Sequence, residues 1–502
     1  MTTTSPDGKH HRVKSSLDDF TLLNLEHPTD ASGHKRSGSA QLRELELKDD
    51  TALPKATLLI VAEKERLEDG NLPGQHQKTA SATTSLLSSL SDMDFIYTKF
   101  RVHNWNQTKF YSDYIKEGLE ELHKDSERVV MLFESPSSSS ADSSFHNRDK
   151  FKFHDWPPPK SSKSKGILGP CRYSLMNGTS FPAFLRDGKP PEGLLEHWAE
   201  VLPEVPSPSF VDKITAEDTA YAYLPVQDIK NHVNDPDTHY HLAGKDAIHL
   251  MTQKTTKLLE DTQTSRPCVV KTTHSMGSKG IFIINNDQDQ AEFEQFLQDS
   301  GNPTFVVTDF VDIARNVACH FFMHPSGEIT WFGSNENFRL PDGRFSSDSY
   351  LVMEDQKKLR EMQLPFVEEV VQYCHTLGFW GFCGVDVLFD SKGSGYLVDI
   401  NPRVTGSCPA LMTLQILNKK YGFTFGLFRR SGAIHFYGTA EELFAKTREY
   451  NAAHEGKSRV VLHSIFDTGK TTKANIGVYG FDVEECKTVL NSFVQAAPVE
   501  DS

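Results

Sequence analysis

The chain of 502 residues has no long apolar run and begins with polar residues, so the sequence shows neither a membrane-spanning segment nor a secretory signal. Positive charge is not in excess, because the formal net charge is −15. A general nucleic-acid-binding surface is therefore not expected. The seven cysteines are scattered without a Cys-x-x-Cys pair, which argues against structural zinc or a disulfide framework and predicts a cytoplasmic protein.

A phosphate-binding P-loop is also lacking. The segment from Asp467 to Thr472 contains Gly-Lys-Thr, but Ser464 stands where the P-loop pattern needs its first glycine. A second strand is predicted to follow the segment, whereas a P-loop is followed by a helix. Any nucleotide chemistry must therefore come from another part of the chain.

Composition and periodicity divide the chain into six segments. The first is rich in Ser, Thr, Asp, His and Lys and buries too little apolar surface to offset its ordering entropy. The second alternates strand-like and helical patterns, and the third contains a serine run and three successive prolines. The predicted segments are a disordered tail at 1–52, an N-terminal α/β domain at 53–134, a low-complexity loop or linker at 135–166, a connecting region of unassigned structure at 167–239, a main domain at 240–430 and a C-terminal α/β subdomain at 431–502.

The most informative stretch runs from residue 381 to residue 407. Two short alternating runs flank Ser-Lys-Gly-Ser-Gly, which predicts a β-hairpin with a glycine-permitted turn. A turn centred between residues 392 and 393 places Asp386 directly opposite Asp399. Opposed carboxylates repel each other, so the pair is best understood with a cation between them. With Asn401 two residues further on, the hairpin is a candidate Mg²⁺ site, because carboxylate and amide oxygens suit this ion.

Two further points concern this hairpin. The alternative interpretation is that Asp386 faces solvent and that the second acid belongs to a polar strand end, since Asp and Asn before Pro are ordinary turn residues. If the acids do face each other, Asp399→Asn is predicted to abolish Mg²⁺-dependent turnover while leaving the fold intact or slightly more stable.

Upstream of the hairpin, two strand-like runs, 268–271 and 281–284, enclose a loop rich in Gly, Ser and Thr. Such a loop offers backbone N–H groups to phosphates, and Lys271 at the end of the first run adds a cation. Taken alone, the loop is more often a plain hairpin turn.

The order of lysine, glycine-rich loop and acid hairpin resembles the ATP-grasp superfamily. The motifs that carry the resemblance are Val385-Asp-Val-Leu-Phe-Asp, Leu397-Val-Asp-Ile-Asn-Pro-Arg and the Lys271 loop. It covers residues 240–430 and implies an α/β and α+β protein: an ATP-grasp fold, with two α+β lobes that hold ATP, after a small α/β domain and the disordered tail. The second acid in the superfamily is usually Glu, whereas this chain has Asp399.

The resemblance also implies roles for individual residues. Lys254 is assigned as the first nucleotide lysine, with Lys245 and Lys257 as alternatives, although only 17 positions separate Lys254 from Lys271. The second nucleotide lysine is Lys271, which is also assigned a catalytic role. The phosphate-covering loop and the hinge strand supply the other nucleotide contacts, His274, Ser275, Met276, Gly277, Ser278, Lys279, Val307, Asp309, Phe310, Val311 and Asp312.

The remaining implied roles concern metal and substrates. Asp386, Asp399 and Asn401 hold Mg²⁺, or Mn²⁺ in its place. Arg403 is the catalytic residue that stabilises the transferring phosphoryl group. The implied substrate contacts are Arg315, Glu336, Arg339, Arg403 and Gly406.

The resemblance implies an ATP-dependent carboxylate–amine ligase that forms an amide or peptide-like bond through an acyl phosphate and releases ADP and phosphate. The expected partners are small carboxylates and amino-acid-like amines, without nucleic acid or membrane, and a homodimer is expected because dimers are common in the superfamily. One alternative is another phosphoryl-transfer enzyme of this fold, a carboxylase or a kinase, although no Met-Lys-Met biotin-attachment sequence is present. The other is a catalytically silent ATP-binding regulatory protein, against which the presence of Arg403 argues.

Overall fold

The computed structural model describes residues 100–137, 143–154, 165–262, 265–275, 280–337, 348–430 and 434–496. The predicted tail at 1–52 and the first half of the predicted domain at 53–134 lie outside the described residues. No helix in the part of the chain that the structure describes is both long enough and apolar enough to cross a membrane.

Helices and strands alternate through most of these residues. The helices are α1 (Tyr111–Glu121), α2 (Lys165–Ser174), α3 (Leu194–Val201), α4 (Pro236–Leu242), α5 (Ile248–Met251), α6 (Asp287–Asp299), α7 (Gln356–Thr376), α8 (Cys408–Tyr421), α9 (Ala440–Ala453) and α10 (Val483–Phe493). The strands are β1 (Val102–Asn104), β2 (Val129–Leu132), β3 (Ala183–Phe184), β4 (Phe210–Val211), β5 (Thr219–Ala222), β6 (Asn231–His232), β7 (Cys268–Thr272), β8 (Ile281–Ile284), β9 (Phe305–Asp309), β10 (Ile313–Met323), β11 (Ile329–Asn337), β12 (Ser349–Val352), β13 (Gly381–Asp390), β14 (Gly395–Asn401), β15 (Phe425–Arg429), β16 (Ile434–Phe436), β17 (Arg459–Asp467), β18 (Thr472–Gly480) and β19 (Gln495–Ala496).

The first sheet is parallel, with the strand order β4-β3-β2-β5-β6. Its central strand β2 is buried at every residue, as expected for a parallel strand covered on both faces. β2 comes from the predicted N-terminal domain, whereas the other four strands come from 167–239, the predicted connecting region. The two regions therefore share one sheet, and the boundary that we placed at residue 134 runs through it. The connecting strands are only two to four residues long, too short for a periodic pattern.

The second sheet is small and antiparallel, with the order β8-β7-β9. Helix α6 packs Phe293 and Phe296 against Phe282 and the strand residue Val270 to form a separate core. The side chain of Asn286 caps this helix by accepting hydrogen bonds from the N–H groups of residues 288 and 289. This sheet corresponds to the smaller of two lobes.

The third and largest sheet has the order β14-β13-β10-β11-β12-β15-β18-β16-β19, with β1 beside β11 and β17 beside β18. It joins the main domain to the C-terminal subdomain, because β12 pairs with β15 and β15 pairs with β18. The boundary placed at residue 430 therefore lies inside a continuous sheet. The Gly-Lys-Thr segment at 469–471 lies in the turn between the antiparallel strands β17 and β18, so it is not a P-loop.

The predicted hairpin register is confirmed, since Asp386 pairs directly with Asp399. Nearer the turn Val387 pairs with Leu397, so Val398 is an extra residue that forms a bulge. The bulge explains why Leu397 and Ile400, three positions apart, are both buried on one strand. The turn is centred on residue 392, half a residue earlier than predicted, and the extra residue of the bulge restores the predicted pairing of Asp386 with Asp399.

Buried histidines make the stability of this fold depend on pH. His197 on α3 is 2% exposed, and its Nε2 accepts a hydrogen bond from the Leu462 N–H at 2.9 Å. Burial lowers the pKa of His197 to about 3. The unfolded chain, in which a histidine has a pKa of about 6.5, therefore binds more protons, and stability falls as the pH drops from about 7 towards about 3.

His197→Gln keeps a hydrogen-bond acceptor and removes the titrating group. We expect the loss of unfolding free energy between pH 7 and pH 5 to shrink by about 2 kcal/mol. Urea unfolding at pH 5, 6 and 7 measures the change, with the exposed His375→Gln as the matched control. An unchanged pH slope in His197→Gln would contradict the assignment, whatever the variant's absolute stability.

Candidate active site

Two buried lysines meet the acid hairpin. Lys245, in the segment before α5, is 5% exposed and its Nζ donates to Asp399 Oδ1 at 2.9 Å. Its backbone N–H donates to the Thr273 carbonyl at 2.9 Å, which ties this segment to the end of β7. Lys271 on β7 is 8% exposed, and its pKa is lowered to about 8 by burial and then by the charge of Lys245. The small sheet thus contributes Lys271 to the site, and the large sheet contributes the two acids of the hairpin.

Asp386 is affected by the acid opposite it. Burial and then the charge of Asp399 raise the pKa of Asp386 to about 7, while Lys245, Arg403 and Arg430 act in the opposite direction. The Asn401 Nδ2 atom lies 3.5 Å from an oxygen of each acid. The Asn401 Oδ1 atom instead accepts a hydrogen bond from Arg403 Nη2 at 2.5 Å.

This donor set fits Mg²⁺ through its carboxylates. Within the described ranges, no group of three or more His, Cys, Asp or Glu side chains is placed to hold a metal ion. Mg²⁺ is usually held by one or two carboxylates, with phosphate and water oxygens completing its shell, so Asp386 and Asp399 suffice. The predicted role of Asn401 as an oxygen ligand is not met in this arrangement, because its oxygen faces Arg403 and its nitrogen faces the acids.

Lys254, predicted as the first nucleotide lysine, lies outside this cluster. Its Nζ donates to Glu369 and to the Pro365 carbonyl on α7, and its side chain is 45% exposed. Its carbonyl accepts a hydrogen bond from the Leu397 N–H, so it meets the hairpin through its backbone. Lys257 is exposed. Of the three lysines that we considered, the structure brings Lys245 to the acids.

The predicted phosphate-covering loop is described only at its ends. His274 and Ser275 are described, whereas Met276, Gly277, Ser278 and Lys279 lie outside the described residues. The His274 ring stacks on Tyr240 at 3.7 Å, and its carbonyl accepts from the His154 N–H. Burial lowers the pKa of His274 to about 4, so it contributes packing and not charge. At the far end Gly280 has φ +70° and a Cβ there would lie 1.9 Å from Thr272 Oγ1, which requires glycine.

The predicted hinge connects the two lobes. Strand β9 belongs to the small sheet and β10 to the large one, and Phe310, Val311 and Asp312 lie between them. The Val307 carbonyl already accepts from the Leu259 N–H, and the Asp309 N–H donates to the Lys257 carbonyl. These two groups belong to residues that we predicted as nucleotide contacts, and both are bonded within the small lobe because residues 257–259 cover the outer edge of β9.

Arg315 and Glu336 do not face the acids. Val317 pairs with Glu336, whereas its neighbour Ala318 pairs with Asp386, so Glu336 and Asp386 project to opposite faces of the sheet. Arg315 and Glu336 form a two-pronged ion pair, with Nε to Oε1 at 2.8 Å, on the face covered by α7. Their predicted substrate role is not supported by this placement. Arg339 lies outside the described residues.

A buried polar cluster, which the sequence analysis missed, stands on the acid face instead. His320 Nε2 lies 2.7 Å from Asn335 Oδ1, and Ser407 Oγ donates to the same oxygen at 2.7 Å. His320 Nδ1 contacts Thr405 Oγ1, and burial lowers the pKa of His320 to about 4. A Cβ at Gly384 would lie 2.2 Å from Thr405 Cγ2, so glycine lets the loop approach the strand. These contacts fasten the loop that follows Arg403.

Arg403 is held from the N-terminal sheet. Its Nη1 donates to the Tyr223 hydroxyl at 2.6 Å, and its guanidinium lies 4.6 Å above the Tyr223 ring. Tyr223 directly follows β5, at the carboxyl end of a parallel strand, where open α/β sheets commonly place ligand sites. The parallel domain therefore contributes to the site, which no local pattern in the sequence indicated.

Comparison with known proteins agrees with this architecture. Residues 249–401 match the model of a family described as "L-aspartate--L-methionine ligase, ATP grasp". Lys245 and Arg403 lie just outside the matched range. No curated protein sequence matches the chain.

Several solved structures are similar to the chain at low identity. The N5-carboxyaminoimidazole synthetase of Staphylococcus aureus, solved with ADP, is 12% identical, with a TM-score of 0.42, and covers 78% of this chain and 98% of its own. The N5-carboxyaminoimidazole ribonucleotide synthetase of Thermotoga maritima is 14% identical, with a TM-score of 0.39, and covers 74% and 99%. The biotin carboxylase domain of the Hydrogenobacter thermophilus 2-oxoglutarate carboxylase is 11% identical, with a TM-score of 0.39, and covers 80% and 91%.

The matched range contains Lys271 and its loop, and the acid hairpin as far as Asn401, which are the main parts on which the resemblance rested. Residues 249–401 therefore form an ATP-grasp domain that matches a family of ligases.

Proposed function

We propose that the protein joins a small carboxylate to an amino-acid-like amine through an acyl phosphate and releases ADP and phosphate. The observation that carries the proposal is the meeting of two opposed carboxylates, two buried lysines and Arg403 at the junction of the two lobes. The name of the matched family, which gives two amino acids as substrates, supports amino-acid-like substrates for this chain.

Each group has a role in phosphoryl transfer, which depends on positioning and charge neutralisation more than on a protein nucleophile. Lys245 and Lys271 bind phosphate oxygens of ATP. Asp386 and Asp399 hold Mg²⁺, which when bound neutralises charge on the phosphates. Arg403, fixed by Tyr223 and Asn401, stabilises the charge on the transferring group and on the acyl phosphate.

The excess positive charge of the two lysines is suited to a polyanion. The charge of Lys245 lowers the pKa of Lys271, and Asp399 makes a direct hydrogen bond with Lys245 but not with Lys271. A triphosphate supplies the missing negative charge. Once it is bound, the lysines gain partners and the pKa of Lys271 should rise from about 8.

The test is release of ADP and phosphate from MgATP in the presence of pooled amino acids. We expect release that requires both a carboxylate and an amine, and Arg403→Ala should lower it by about 100-fold or more. The exposed Arg148→Ala is the control for a changed net charge. Release without an amine would instead favour a kinase or carboxylase, and Mg²⁺-dependent ATP binding without release would favour a silent regulatory protein.

A further inference from the structure

Beyond Arg403, two more arginines approach the same loop. Arg172 lies on α2, before the ATP-grasp domain, and Arg430 directly follows β15 on the other side of the site. Both meet at Gly406, where an added Cβ would lie 3.3 Å from Arg430 Nη1 and 3.7 Å from Arg172 Nη2. We call Arg172, Arg403 and Arg430 the arginine cluster.

Two neighbouring tyrosines connect Arg172 and Arg403 of the arginine cluster. Arg172 Nη2 donates to the Tyr173 hydroxyl at 2.8 Å, and the Tyr173 and Tyr223 hydroxyls lie 3.2 Å apart. The Arg172 guanidinium lies 4.7 Å from the Tyr173 ring centre, as Arg403 lies above Tyr223. The two arginine side chains are therefore held in place by aromatic faces before any ligand arrives.

The arginine cluster has no direct ion pair with the protein, although Arg403 and Arg430 act on the pKa of Asp386 from a longer distance. Among the residues that the structure describes, none of the three guanidinium groups has a carboxylate within ion-pair distance. The Nε atom of Arg172 is also buried without a hydrogen-bond partner. Three like charges gathered in a partly buried place are costly unless an anion accompanies them. The chain has a net charge of −15, yet no acid of the described residues pairs directly with these three guanidinium groups.

The position of the arginine cluster distinguishes it from the phosphate site. Arg403 lies between the other two members of the arginine cluster and the phosphate site, because its Nη2 atom donates to Asn401 beside the metal-site acids. Arg172 and Arg430 approach Gly406, five residues beyond Asn401, and guanidinium forks bind carboxylates in a two-pronged manner. Gly406 has no side chain to fill the space that these two arginines approach.

We propose that Arg172 and Arg430 bind a carboxylate that does not react, carried by one of the two substrates, while Arg403 acts on the reacting group. The proposal rests on the proposed ligase function and narrows its substrates to those with such a carboxylate. The carboxylate that does not react belongs either to a dicarboxylic acid substrate or, as the α-carboxylate, to an amino acid that serves as the amine.

The test is calorimetric titration with two matched pairs of compounds, succinate against propionate and L-alanine against ethylamine. Each pair differs by one carboxylate. We expect the member with the extra carboxylate to bind at least 10-fold more tightly in one pair, which identifies the substrate that carries it. Arg172→Met and Arg430→Met should abolish this difference while MgADP affinity changes less than about twofold.

Two further variants separate binding from folding. Arg172→Lys keeps the charge but loses the fork, so it should restore only part of the preference, whereas the exposed Arg148→Met should not alter it. The titrations are made with and without MgADP, so a protein that binds no nucleotide would refute the proposed function and still report on the arginine cluster. Equal binding within both pairs, or a preference that survives both Met variants, would overturn the proposal.

Discussion

Lys245→Met is expected to lower MgATP-dependent turnover by about 100-fold or more, whereas Lys254→Met should leave it within about twofold of wild type. Lys245 is buried at the acid hairpin and bonded to Asp399, so its ammonium is placed for phosphates. Lys254 is largely exposed and paired with Glu369 on α7. The two substitutions make the same chemical change, Lys to Met, at two nearby positions, so each is a control for the other.

Nucleotide binding measured by calorimetry, with ADP and ATP, separates the two lysines without knowledge of the substrates. The thermal stability of both variants is measured in parallel, because Lys245→Met also leaves Asp399 without its cation. Normal ATP affinity in Lys245→Met together with a large loss in Lys254→Met would show that the lobes bind ATP with the other lysine, and that the contact with Asp399 has another purpose.

The acid hairpin could be predicted because its information is local. Alternating residues and a glycine turn determine which acids face each other, and the family resemblance adds their chemistry. Even there the agreement was helped by two offsetting details, a turn centred half a residue earlier and a bulge at Val398. The bulge lies between the turn and the pair of Asp386 and Asp399, so it cancels the shift of the turn and the pair keeps the predicted register.

The choice of lysine could not be made from the sequence, since the three candidates flank one short helix-like run, 247–251, whose pattern does not distinguish them. What separates them is burial and partner, and both depend on how α7 and the hairpin pack. The same limit applies to Tyr223, which reaches Arg403 from a strand about 180 positions earlier. Strand alternation could have excluded Glu336, but only if the pairing of β10 with both neighbours had been known.

The parallel domain changes how the site is understood. Four of its five strands come from 167–239, which was predicted as a connecting region of unassigned structure. This region supplies Tyr223, which holds Arg403, and Arg172, which belongs to the arginine cluster. Its short strands carried no pattern, and its contribution arises from side chains just beyond them. The proposed site is therefore assembled from several segments, of which only part lies in the matched range 249–401.

Asp386→Asn and Asp399→Asn are expected to have opposite effects on the stability of the metal-free protein. Our sequence-based expectation was that Asp399→Asn would leave the fold intact or improve it by relieving repulsion. The contact between Asp399 and Lys245 changes this, because the substitution would leave a buried ammonium unpaired. The cost should be about 1 to 3 kcal/mol, less than for a fully buried pair because Asp399 is 28% exposed.

Asp386 has the raised pKa and no lysine bonded to it, so Asp386→Asn relieves repulsion without removing an ion pair. Unfolding by urea in EDTA should therefore show Asp386→Asn equal to wild type or up to about 1 kcal/mol more stable, and Asp399→Asn clearly less stable. Both should lose the stabilisation that MgADP gives to wild type, since each removes one of the two carboxylates suited to the cation. Similar losses for both variants in EDTA would mean that Lys245 is shared between the acids, and retained MgADP stabilisation in either would remove that acid from the metal site.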